Sequence, residues 1–293
     1  MAANSRLAQY QSTKSAELPS YEGVEIRPYL QRINPVNTDE WGWAIPAEQA
    51  LAAGFDPSAE WEIKKIEVGG CEQLFYLNQK PSFLVLGWDK KLLVWKKDGE
   101  EEDSKSTLEH YDPDSYRVGM DTTVRRYLLL PVCPKEKRIL SEKPFKFSAN
   151  KTFRKPFEDA VRNFQLNYEA IARQEKKALL ALDPTIQFPI HIGLAIFKPE
   201  GACEWAISNA SGKKSKAFFV RKSALITSEN FSEMVFEPFD GDYPVIVEAM
   251  RLSQNWLRPP AESPSVVLES RLLRAKPEPY YLPEDESSEE IPY

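Results

Sequence analysis

Histidine is almost missing from this chain of 293 residues: only His110 and His191 occur. A histidine-rich metal site is therefore excluded. Cysteine is also scarce. Cys71, Cys133 and Cys203 are odd in number and far apart, and no Cys-x-x-Cys pair exists. Neither a disulfide framework nor a zinc ribbon is suggested, and mixed Cys–His sites have no recognisable spacing. No Gly-x-Ser-x-Gly elbow, phosphate loop or dinucleotide fingerprint is present. Gly212-Lys-Lys-Ser ends like a phosphate loop, but Ile207 stands where its first glycine belongs. The carboxylate pairs Asp112-Pro-Asp114 and Asp240-Gly-Asp242 sit beside turn residues, so they read as ordinary turns rather than a magnesium site. No enzymatic activity, no metal and no cofactor is expected.

Long apolar runs are missing too, so no membrane span is expected. Asn150, Asn209 and Asn230 head glycosylation sequons, yet no signal peptide is recognised before them and a cytoplasmic protein is expected. The net charge of −6 has a local origin. Residues 278–293 hold six acids (Glu278, Glu284, Asp285, Glu286, Glu289, Glu290) and no base. Taking those six from 44 acids leaves 38, against 38 bases, so the rest of the chain is formally neutral. The acidic balance describes a tail and does not argue against nucleic acid as a partner.

What is present is mostly strand-like. Residues 61–68, 73–77, 82–88, 91–97 and 123–132 are rich in aromatic and β-branched side chains. Asp89-Lys90 between two of these runs predicts a tight hairpin. Residues 99–106 read as a solvated loop. Pro46–Gly54 predicts a short helix with Pro at its start and Gly past its end. The clearest helix covers 156–182, where Phe157, Val161, Phe164, Tyr168, Ile171 and Leu179 form a stripe at helical steps. Short strands at 189–197, 204–208 and 216–225 follow. A second helix runs from 243 to 257 with Ile246, Ala249, Met250, Ser253 and Leu257 on one face, and a last strand covers 266–273. There is no internal repeat. Without regular β-α alternation the fold class expected is α+β, mostly β. An elaborated OB-like β-barrel with two packed helices fits the strand count by analogy. Three segments are expected: a disordered arm over 1–20, one nucleic-acid-binding domain over 21–274, and a disordered acidic tail over 275–293.

The tail ends Glu289-Glu290-Ile291-Pro292-Tyr293. A terminal carboxylate on Tyr293 takes charge-assisted hydrogen bonds from an Arg or Lys of a partner, and its ring fills an apolar pocket. Pro292 limits the entropy lost on docking, and the acids steer the tip toward a basic surface. This ending resembles that of bacterial single-stranded DNA-binding proteins, in which several acids precede Ile-Pro and a terminal aromatic. Tyr293 departs from the Phe usual there, and its hydroxyl needs water or a partner group. The resemblance covers about ten residues, and it implies docking to DNA-processing proteins. The overall layout is more similar to phage-type single-stranded DNA-binding proteins. The body also looks faintly like an uncharacterised family of cyanobacterial genomes and plasmids, a likeness that implies no function.

Single-stranded nucleic acid is held by cations along its phosphates and by aromatic faces under its bases. Residues 135–155 carry eight bases against two acids, with phenylalanines interleaved; residues 205–228 carry no acid. Strand alternation puts Lys91, Trp95 and Lys97 on one face, Arg125 with Tyr127, and Lys143 with Phe145, while Lys146 faces the other way. Lys151, Arg154 and Lys155 extend the first cluster. Lys213, Lys214, Lys216, Phe218, Arg221 and Lys222 form the second. The expected function is sequence-independent binding of single-stranded DNA in replication and recombination, with partners recruited through the tip. The alternative is an adaptor that never touches DNA and uses the tip to engage the same partners.

Overall fold

A computed structural model describes residues 28–34, 40–68, 71–97, 106–118, 121–182, 190–207 and 214–253. The arm 1–20, the strand expected at 266–273 and the tail with Glu289, Glu290, Ile291, Pro292 and Tyr293 lie outside the described residues. The fold mixes α and β and is mostly strand, with four helices among the described residues. Its centre is an 11-stranded sheet. The main path runs β11 (Ile196–Phe197), β5 (Phe83–Trp88), β8 (Thr122–Cys133), β10 (Phe145–Asn150), β1 (Tyr29–Ile33), β2 (Gly42–Pro46), β4 (Cys71–Asn78) and β3 (Glu62–Val68). Off this path, β6 (Leu93–Lys97) pairs with both β7 (Ser106–His110) and β8, and β9 (Arg138–Ile139) pairs with β8. Neighbours are antiparallel except β1 and β10. The sheets are not closed into a barrel. A separate two-stranded sheet joins β12 (Pro199–Ile207) to β13 (Lys214–Ser223).

Asp89-Lys90 is not a hairpin turn. β5 and β6 do not pair with each other; both run antiparallel to β8, end to end along one of its edges. Trp88 is opposite Tyr127 and Leu93 is opposite Val124. Four residues, 89–92, therefore face only Arg125 and Arg126, and the surplus is pushed out of the ladder as a wide bulge. Asp89 explains why the strand breaks rather than reverses. Its buried carboxylate accepts the Arg126 backbone N–H (2.9 Å) and both arms of the Arg126 guanidinium (3.0 and 2.9 Å), and its own N–H donates to Arg126 O. A side chain has replaced the missing rungs.

The helices are α1 (Ala47–Ala52), α2 (Lys151–Leu182), α3 (Phe231–Met234) and α4 (Tyr243–Ser253), with a 3₁₀ turn at Ile192–Leu194. Helix α2 starts five residues before the expected Pro156. Pro156 costs a backbone hydrogen bond, but the earlier turn buries Phe153, which stacks on Phe157 at 5.4 Å. Its buried stripe of Phe153, Phe157, Val161, Phe164 and Tyr168 lies on the sheet. Phe157 meets Tyr127 edge-on at 4.9 Å and Phe147 at 5.3 Å. Trp43, fully buried, packs against Phe83, Phe147, Phe153, Phe157 and Phe218. Of the strand expected at 189–197, the described residues 190–197 hold the 3₁₀ turn and the two-residue β11, and β7 begins where a loop was expected to end. Gly42, at φ 136°, opens β2 where a Cβ would sit 2.8 Å from Asn78 O, so only glycine fits. Helix α4 buries Ile246, Ala249, Met250 and Ser253, the face expected of it.

The β12–β13 hairpin is tied to this core by polar clamps. Arg32 Nη1 donates to Phe218 O (3.1 Å) while its guanidinium lies 4.6 Å over the Phe153 ring, and Asn34 Oδ1 accepts the Phe218 N–H (3.0 Å). Burial lowers Arg32 to a pKa of about 10. Gly201 backs Phe218 closely: a Cβ there would meet the ring at 2.1 Å.

Candidate nucleic-acid interface

Helix α2 covers the sheet face on which a strand was expected to lie. Tyr127 is 2% exposed, and Phe145 and Phe218 are fully buried, so none of the three is a stacking platform. Each belongs to the core: Tyr127 under Phe157, Phe145 against Phe55 at 6.0 Å, and Phe218 against Trp41 at 5.3 Å. Burial also pushes the Tyr127 phenol up, the result expected for a group kept from water. Sequence alternation found the right faces but could not say that a helix lies on them. Trp95 is half-buried on a small cluster of Leu93, Leu108 and Val124, and Lys97 continues its strand.

Several expected phosphate contacts are already paired within the fold. Arg125 Nε lies 2.9 Å from Glu158 Oε1, off the line of a good hydrogen bond, and Arg154 donates to the other Glu158 oxygen at 2.8 Å. Lys155 pairs with Asp159 one turn along α2 (2.7 Å). Arg221 pairs with Glu204 (2.6 Å) and Lys222 with Glu200 (2.8 Å) across the hairpin. The Arg221 hydrogen bond holds the Glu204 carboxyl below its ordinary range. Lys137 and Arg138, from the same cluster, bind Asp240 and Asp56. Lys146 is half-buried and also has a partner. Lys143 and Lys151 are exposed, Lys151 with φ 50° at the junction of β10 and α2. Half of the first basic cluster, Lys137, Arg138, Arg154 and Lys155, is thus committed to ion pairs within the fold. Lys213 lies outside the described residues.

The arrangement that does suit a strand centres on a residue that composition alone passed over. Trp205 on β12 is 61% exposed. It stands directly opposite Lys216 on β13, with Ile207 opposite Lys214 one step on. The Lys214 and Lys216 ammonium groups lie 5.3 and 5.9 Å from the Trp205 ring centroid. The face that carries Trp205, Lys214 and Lys216 continues inward to Phe218, which anchors it, so the outer end is presented on a fixed stem. Exposed lysine–tryptophan contacts stabilise by only about 0.5–1 kcal/mol each, small enough for a stacking base and a phosphate to replace them. The missed signal was the pairing: Ile207 opposite Lys214 fixes Trp205 against Lys216. Lys91, also exposed, stands elsewhere, on the bulge between β5 and β6.

Among the described residues no group of three His, Cys, Asp or Glu side chains is placed to hold a metal ion. No described helix is long and apolar enough to cross a membrane. Residues 24–181, more than half of the chain, match the model of a family described as a domain of unknown function, DUF5895, and the chain belongs to that family. No curated protein and no solved structure matches it. The family region covers β1 to β10 and nearly all of α2, and stops before β11, β12 and β13.

Proposed function

We propose that this DUF5895 member is a non-enzymatic, sequence-independent single-stranded DNA-binding protein that recruits replication and recombination proteins through residues 284–293. The observation that carries the binding half is Trp205, exposed and flanked by Lys214 and Lys216 on a hairpin pinned to the core. Base stacking on an aromatic contributes about 1–3 kcal/mol per base and tolerates any sequence, while the two ammonium groups neutralise adjacent phosphates. The strand-binding surface in this reading is a hairpin rather than the mouth of an OB-like barrel. The recruiting half rests on the acidic run and its Ile-Pro-Tyr ending. Electrostatic rest of that tail on Lys214 and Lys216 would keep the platform covered until a strand displaces it.

A fluorescence-anisotropy titration with labelled oligo-dT at low salt tests the proposal. Binding that falls at least about tenfold in Trp205→Ala supports it, whereas no binding by the wild type sinks it. Removing residues 284–293 should tighten DNA binding at low salt and abolish capture of the docking proteins; no change in either refutes the tail's role.

A second reading, an adaptor that does not bind DNA, draws support from one observation. Arg125, Arg154, Lys155, Arg221 and Lys222 are committed to acids of their own fold. In that case the oligo-dT titration is flat while the docking proteins are still captured.

A further inference from the structure

The bulge between β5 and β6 opens onto a cleft of about 760 Å³ that the strand-coating reading does not use. Its walls are the end of β5, the middle of α2, the 3₁₀ turn and the ends of β7 and α4. None of its residues belongs to β12 or β13. Its size is that of a pocket for one small organic ligand.

Four features define the ligand. Trp88 lines the cleft, half-buried, on the α2 side of the sheet beside Tyr127 (centroids 6.3 Å), and offers a ring for stacking. Lys90 and Lys91 stand exposed at the rim with no acid paired to them among the described residues. They are held there because Asp89 is locked to Arg126, so the two ammonium groups are presented on a fixed bulge. His191 is kept neutral by burial, and its Nδ1 accepts the Gly193 N–H (3.0 Å); the ring proton is therefore on Nε2, a hydrogen-bond donor. Glu169, steadied by Gln165 (2.8 Å) and Arg173 (3.1 Å), supplies a carboxylate acceptor on the opposite wall.

A flat ring, a donor and an acceptor within, and two cations at the mouth with no acid partner among the described residues match a heterocyclic base that carries one phosphate. We propose that the cleft is a binding site for a single nucleotide, with its base between Trp88, His191 and Glu169 and its phosphate on Lys90 and Lys91. The site goes beyond the strand-coating reading and stands whether or not the hairpin binds DNA.

Calorimetric titration of the full chain with thymidine 5′-monophosphate, thymidine and inorganic phosphate tests it. The nucleotide should bind more tightly than either fragment. Lys90→Ala/Lys91→Ala, at two exposed positions that leave the fold intact, should weaken it at least about tenfold, and Trp205→Ala should leave it unchanged. Glu169→Gln should lower affinity for the nucleotide and for thymidine alike. Absence of nucleotide binding, or equal binding by the double lysine variant, overturns the proposal. Failure here with oligo-dT binding intact rejects the cleft alone; nucleotide binding without oligo-dT binding rejects the hairpin alone.

Discussion

The hairpin and the cleft present the same kinds of side chain in opposite ways. On the hairpin, Trp205 is exposed and its lysines lie over its own ring. In the cleft, Trp88 is half-buried and Lys90 and Lys91 are held away from it by a break in a strand. The hairpin's outer end, with Trp205, Lys214 and Lys216, is exposed and open, as a polymer requires. The cleft is enclosed on several sides, as a single unit requires. The first is anchored by the inner half of β13, where Phe218, Phe219 and Val220 are buried and the strand packs on α2; the second is built from the central sheet and the middle of that helix. It follows that the two can be disabled separately.

Asp89→Ala should have the largest effect. It removes the bidentate partner of a guanidinium that is only 14% exposed, and breaking such a pair costs about 3–5 kcal/mol. Denaturant unfolding reads the loss. The same variant should loosen the cleft rim and spare the hairpin. Gly201→Ala reverses the pattern. Its new Cβ would collide with Phe218, so overpacking should cost about 1–3 kcal/mol and shift Trp205, with oligo-dT binding lost and the cleft preserved. Equal damage to both sites by either variant would break the comparison.

Trp205→Ala is expected to leave stability within about 0.5 kcal/mol, because the side chain is mostly in water, so any loss of DNA binding is a loss of contact. The smallest effect concerns pH. Burial lowers the His191 pKa below its ordinary value near 6.5, so the unfolded chain takes up this proton first as pH falls. Stability from this group is full above that value and is lost as pH drops from it toward the folded pKa. Melting temperatures of wild type and His191→Asn should diverge less at pH 5 than at pH 7.5, and a gap that stays constant would show that His191 does not titrate as argued.

Local pattern revealed what depends on neighbours in sequence. The stripe on α2 and the buried face of α4 follow from helical spacing, and β5 and β8, to within a residue at each end, from β-branched and aromatic runs, whereas β13 starts and ends two residues before the expected 216–225. What depends on pairing was hidden. Asp89-Lys90 has the look of a turn because two strand-like runs flank it, and only the partner strand β8 shows that they are collinear. Tyr127, Phe145 and Phe218 share faces with cations, yet those faces are covered by a helix or by other strands. The lysines and arginines of 135–155 are dense in sequence, while two of the acids that neutralise them, Asp240 and Asp56, are remote in it. Trp205 went unnoticed for the same reason: its lysines come from the other strand.

The most direct test is the salt dependence of oligo-dT affinity in the wild type and in Lys214→Ala/Lys216→Ala. If the hairpin holds phosphates, the log–log slope should become shallower by about 1.4, roughly 0.7 for each phosphate contact removed from a single strand. Identical slopes in the two proteins would contradict the account.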